Sequence, residues 1–203
     1  MILERSLRLA IKHFGTLFLL VAIVTLPLHV AYSFFFRNVI AVSELHDQIE
    51  TFPENRQVQG VGTGDLDAAR FALLGITLAE IALIPVLARA AARVVTVDKE
   101  QGVPTVPDAL SHLRGTHLSL AHVLGGRRLQ PVLAALLVAA ALGILLELAG
   151  MTLIEPLSDE DTFAGVGLVQ GVARAAAAPF LLMGLAVAAQ NAKAPTTETP
   201  SLY

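Results

Sequence analysis

The chain reads as an all-α integral membrane protein: a four-helix bundle with two amphipathic helices on its cytoplasmic surface. Three observations predict this. Hydrophobic residues make up 55% of the 203 residues and charged residues only 15%, against about 25% charged in soluble domains. Mean hydropathy is +0.67. Four apolar runs, roughly 14–36, 71–95, 131–154 and 164–190, are each long enough to cross a hydrocarbon core of ~30 Å at a helical rise of ~1.5 Å per residue.

Residues 2–13 form the first surface helix. Ile2, Leu3, Leu7, Leu9, Ala10 and Ile11 alternate with Arg5, Arg8 and Lys12, the pattern of a basic helix lying in the membrane interface. The first span follows. It is far longer than the apolar stretch of a secretory signal, and no small-x-small cleavage site closes it, so it is expected to be retained. Residues 37–70 form a polar outer loop in which Glu44, Asp47, Glu50, Glu54, Asp65 and Asp67 outnumber Arg37, Arg56 and Arg70. A short helix is expected at 42–52, and Gly60, Gly62 and Gly64 read as a slack joint. GVGTGD lacks the Gly-Lys-Ser/Thr ending of a phosphate loop.

The second span, 71–95, carries Glu80 near its middle, Pro85 beyond it, and Arg89 and Arg93 near its end. Gly102, Pro104 and Pro107 then break the helix. Thr105 is placed to cap a new one, with Pro107 and Asp108 in its first turn. This is the second surface helix, 106–124, with Arg127 and Arg128 beyond it. The third span is followed by an acidic hairpin at 155–161 and by the fourth span, which contains Arg174 and Pro179. The tail, 191–203, is rich in Pro, Thr and Ser and is expected to be disordered. Trp is absent and Tyr occurs twice, so phenylalanines near the span ends stand in for the usual aromatic belt.

Charge sets the expected orientation. Arg5, Arg8, Lys12, Arg89, Arg93, Lys99, Arg114, Arg127, Arg128 and Lys193 fall on one side, and only Arg37, Arg56 and Arg70 on the other. The positive-inside rule places both termini and the middle loop in the cytoplasm. The order of surface helix, span, outer loop and span occurs twice, and Glu80 and Pro85 precede Arg174 and Pro179 by the same 94 residues. An internal two-fold repeat is therefore predicted, its copies related by an axis along the membrane normal.

A carboxylate or guanidinium inside a bilayer needs a partner. Glu80, Arg174, Glu147 and His29 lie at ~13, ~15, ~11 and ~10 Å from the outer ends of their spans by helical rise. One ionisable group per span at a similar depth predicts a buried polar cluster. Arg174 would pair with Glu80 or Glu147, and His29 with the remaining carboxylate. The bland reading is a static ionic lock; the sharper one is a proton relay. The prolines at 85 and 179 are expected to kink their helices. Arg89, Arg93, Arg127 and Arg128 are candidates for lipid headgroup contacts.

Much chemistry is missing. With no cysteine, disulfides, iron–sulfur ligation and thiol nucleophiles are excluded. His112, His117 and His122 recur every five residues, which spreads them around a helix, and no HExxH occurs. No GxSxG is present. The expectations are no catalytic residues, no metal, no cofactor and no nucleic acid.

Three passages, LERSLRLAIKHFGTLFLL, ARAAARVVTVDKEQG and VPDALSHLRG, together resemble the membrane domain of bacterial glycerophosphodiester phosphodiesterases and its stand-alone relatives, over most of residues 1–150. That family's phosphodiester chemistry resides in a separate soluble barrel, and no such barrel is expected in residues 1–203. The resemblance implies a helical protein of the bacterial plasma membrane and no reaction. The function expected is that of a non-enzymatic multi-span protein of the inner membrane. It would be an accessory or structural subunit, packing against itself or other membrane subunits and contacting lipid. The alternative is a transporter or channel component that uses the buried Glu/Arg/His cluster.

Overall fold

A computed structural model describes residues 2–36, 63–100, 102–111, 129–154 and 159–193. Every element among them is an α-helix: α1 (Ile2–Lys12), α2 (Phe14–Phe35), α3 (Thr63–Lys99), α4 (Val106–Ser111), α5 (Leu129–Ile154) and α6 (Asp159–Lys193). Four of these, α2, α3, α5 and α6, are long and apolar enough to cross a membrane.

The helices of the second and fourth spans reach beyond the expected runs. α3 begins at Thr63 and takes in Gly64, which the sequence reading assigns to a slack outer loop. Glycine disfavours helix interiors far more than the first turn, where its amide has no intrahelical acceptor in any case. α6 begins at Asp159, so Asp159, Glu160 and Asp161 form its first turn rather than part of a hairpin. At the other end α6 runs to Lys193, into the expected tail. The helix expected at 42–52, most of the second surface helix, and Arg127 and Arg128 lie outside the described residues.

The chain divides into two compact units. The first draws on Met1–Leu20, Ile84–Ala141 and Ala177–Tyr203. In it, α1 buries Ser6, Leu9, Ala10 and, just beyond its end, His13, the i, i+3, i+4, i+7 face of an amphipathic helix. The end of α3 supplies small residues to this core: Ala88, Ala90, Ala91, Val94 and Val95 are fully buried. Small side chains let helices approach closely; a Cβ on Gly184 of α6 would stand 2.5 Å from the Ala135 Cβ of α5. Thr105 caps α4 as its chemistry predicts, its hydroxyl accepting from the Asp108 amide at 3.3 Å. After α3, the Gly102 amide donates back to the Val97 carbonyl at 2.9 Å, which closes the helix end.

The same unit fixes α1 to α3. Asp98 accepts from Lys12 Nζ at 2.5 Å and meets His13 Nε2 at 2.7 Å. It lies three residues past the apolar run that ends at Val95. Asp98→Asn should weaken this docking at neutral pH, as reported by a fluorophore on a cysteine at exposed Ile11.

The second unit draws on Val21–Leu83 and Leu142–Ala176. Here α2 and α6 are in direct backbone contact. A Cβ on Gly167 would lie 2.6 Å from the His29 carbonyl oxygen, and one on Gly171 would lie 3.1 Å from the Leu26 Cα. Gly167 and Gly171 form a GxxxG pair, the spacing at which two glycines share a helix face. On its other side α6 meets α5, where Gly150 abuts Val169 and Ile154 abuts Gly165.

Candidate functional site

The site grows from one face of α2. Thr25, His29 and Ser33 are buried and spaced i, i+4, i+8, so they stack along one side of the helix. That side faces the glycine pair of α6. Thr25 Oγ1 donates to the Gly171 carbonyl at 3.3 Å. His29 is fully buried and uses both ring nitrogens: Nδ1 lies 3.3 Å from Gln170 Oε1 and Nε2 lies 3.0 Å from Glu80 Oε1. Arg174 Nη1 donates to the other oxygen of the same carboxylate at 2.8 Å.

Glu80 thus bridges α2 and α6 from α3, one oxygen to each. Its side chain is 14% exposed, whereas that of Arg174 is 39% exposed. A guanidinium stays charged and is the cation best suited to a desolvated carboxylate. The arrangement does two things chemically. It satisfies a carboxylate inside an apolar helix, where an unpaired one would be costly. It also fixes the register of three helices at a single level.

Three of the four expected cluster residues, His29, Glu80 and Arg174, come together, with Glu80 taking both partners. Glu147 does not join them. It sits partly exposed on α5 between Ile144 and Leu148, each 60% exposed, and among the described residues no hydrogen bond or ion pair reaches it. The reason is rotational. Successive helical residues turn by about 100°, so Arg174 points about 140–180° away from Val169 and Gly165, the α6 residues that face α5. α6 itself stands between the two groups. Residue spacing fixes depth along a span but not the rotation that brings one span's side chains toward another's.

Gln170, Ser33 and Thr25 were not singled out from the sequence. The signal was available: Thr25 and Ser33 flank His29 at i−4 and i+4, and Gln170 lies within the GLVQG glycine pair. Ser33 Oγ is buried without a hydrogen-bond partner among the described residues; a Cβ at Gly167 would fall 2.3 Å from it. Of the candidate headgroup residues, Arg89 is half-buried with its Nε unpartnered among the described residues, and Arg93 stands 3.9 Å from Glu100. Among the described residues no three His, Asp or Glu side chains gather as a metal site would require. No family model, curated protein or solved structure matches the chain.

Proposed function

We propose that this chain is a non-enzymatic, four-span subunit of a larger assembly in a bacterial plasma membrane, both termini cytoplasmic. In this reading its spans form one bundle built from two parallel copies of a helix-and-span repeat. The His29–Glu80–Arg174 set is the ionic lock that holds the bundle's register. The lysine and arginine asymmetry supports the orientation. The resemblance named for residues 1–150 brings no reaction with it, which is in keeping with the non-enzymatic part.

The observation that carries the subunit role is the uneven burial of the spans. The apolar window of α6 is 72% buried, that of α2 33%, that of α5 17% and that of α3 6%. α6 is thus the most buried of the four, while most of the apolar windows of α3 and α5 stays uncovered. Lipid alone can cover leucines, but α5 also offers the carboxyl of Glu147. An acidic residue at mid-helix opposes insertion by about 2.5–3.5 kcal/mol on translocon scales, so its presence favours a protein neighbour.

A second reading, a transporter or channel component, draws on one specific observation: the run of polar contacts Gln170–His29–Glu80–Arg174 inside apolar helices, the layout of a proton relay. Purification of the full chain in mild detergent separates the two. The subunit reading expects a stoichiometric complex, with other membrane proteins or with further copies. A lone monomer that moves protons or solute in liposomes would overturn it in favour of transport.

A further inference from the structure

Both ring nitrogens of His29 have a partner, and the two partners differ in what they can do. The ring is fully buried. Its Nε2 lies 3.0 Å from Glu80 Oε1 and its Nδ1 lies 3.3 Å from Gln170 Oε1. A neutral imidazole has one donor and one acceptor, whereas an imidazolium has two donors. An ionised carboxylate only accepts. A side-chain amide presents an acceptor on one arm and two donors on the other.

Glu80 decides the Nε2 side. Its second oxygen accepts from Arg174 at 2.8 Å. Arginine is always charged, so the ionised carboxylate forms a neutral pair with it. Toward that carboxylate Nε2 must donate. A neutral His29 then carries its proton on Nε2, and its Nδ1 is a bare acceptor that needs an N–H. A protonated His29 carries a second proton on Nδ1, which needs an oxygen. Gln170 meets either need by a half-turn of its amide about the last side-chain bond, with no movement of α2 or α6. The orientation in the structure, Oε1 toward Nδ1, is the one that suits the protonated ring.

We infer that His29 is a binding site for a single proton, and that Gln170 is the positioning residue whose amide turns over as the proton comes and goes. The charged groups that face the ring are Glu80 from α3 and, through it, Arg174 from α6. Among the described residues no hydrogen bond or ion pair joins the ring to Tyr32 of α2 or to Glu147 of α5. The proton enters through Glu80, whose side chain is 14% exposed while that of His29 is 0% exposed. Its route then stops. An amide does not titrate as a histidine or carboxylate does, and Ser33 Oγ, one turn along α2, has no hydrogen-bond partner among the described residues. The run of contacts therefore stores a proton at a dead end and does not pass it on. This goes beyond the ionic lock by giving the lock two charge states, and it sets the lock apart from a relay.

The test is nitrogen NMR of the full chain in lipid nanodiscs, with histidine rings and glutamine amides isotopically labelled. The pH is stepped through the range in which histidine charge commonly changes, about pH 5 to 8. The His29 signals are identified by their loss in His29→Gln or, if that chain does not fold, by magnetisation transfer from the Glu80 carboxyl carbon. Toward the alkaline end the ring should carry its proton on Nε2 alone, with a Gln170 amide proton correlated to Nδ1. Toward the acid end both ring nitrogens should be protonated and that correlation should be lost, the two changes occurring together. In Gln170→Leu, which has neither donor nor acceptor, the correlation should be absent throughout while Nε2 stays protonated. A ring that keeps one protonation state throughout, a neutral ring protonated on Nδ1, or a protonation change that leaves the Gln170 amide unmoved overturns the inference and leaves the ionic lock standing. Proton flux through vesicles holding the chain, lost in Gln170→Leu, overturns the dead end in favour of the relay.

Discussion

Arg174→Ala is expected to destabilise the protein by about 3 kcal/mol, the lower end of the range for breaking a buried pair by removing one partner. The effect comes less from the lost contact than from what remains. Glu80, 14% exposed, would keep His29 as its one hydrogen-bonding neighbour among the described residues and would have to take up a proton or stay charged in an apolar setting. Average interhelical polar contacts in a membrane are weaker, about 0.6 kcal/mol. A result near that figure would mean that solvent or lipid headgroups reach Arg174 through its exposed side and soften the change. Glu80→Gln alone should be milder: the amide still accepts from Arg174, and the charge that needs neutralising has gone. The readout is the midpoint of unfolding in mixed micelles, followed by helical circular dichroism.

Gly167→Ala is the second large effect. Alanine is the better helix former by about 1 kcal/mol, so an unpacked site would be stabilised. At this position the added Cβ would stand 2.3 Å from Ser33 Oγ and 2.6 Å from the His29 carbonyl oxygen. The hydroxyl can rotate away, but the carbonyl belongs to the α2 backbone and cannot. α2 and α6 must separate, and overpacking of this kind typically costs about 1–3 kcal/mol. Separation also lengthens the His29–Gln170 contact, already 3.3 Å. Net destabilisation of about 1–2 kcal/mol is expected, as the clash outweighs the propensity gain. Gly75→Ala on α3, where nothing lies within 4 Å of the new Cβ, is the control and should stabilise. Equal effects at the two sites would show that α2 and α6 do not touch as described.

Residue chemistry in the sequence goes far toward this arrangement. Long apolar runs reveal the four helices that are long and apolar enough to cross a membrane, because a span needs about 20 consecutive apolar residues. The depths of Glu80, Glu147 and Arg174 point to an acid partner for the arginine, because a lone charge in lipid demands one, and leave open which of the two acids it is. Thr105 reveals its cap because a hydroxyl before a helix start has few other uses. Other features depend on properties that spacing along the chain does not encode. Rotation about the axis separates Glu147 from the cluster. Gly64 reads as a joint, yet it falls in a first turn, where glycine is tolerated. Residues 155–161 read as a hairpin, yet α6 begins at Asp159. Gln170 is an ordinary polar residue until the glycine pair around it brings α2 close enough for His29 to meet it.

The central claim is that charges inside the apolar helices neutralise one another, and the double-mutant cycle of Arg174→Ala with Glu80→Gln tests it most directly. If Glu80 is the partner, removing its charge relieves the stranded carboxylate. The double variant should then recover at least about 1 kcal/mol of what the arginine change alone loses, within the range of strong couplings measured between membrane helices. Strictly additive losses, with no recovery, would contradict the account.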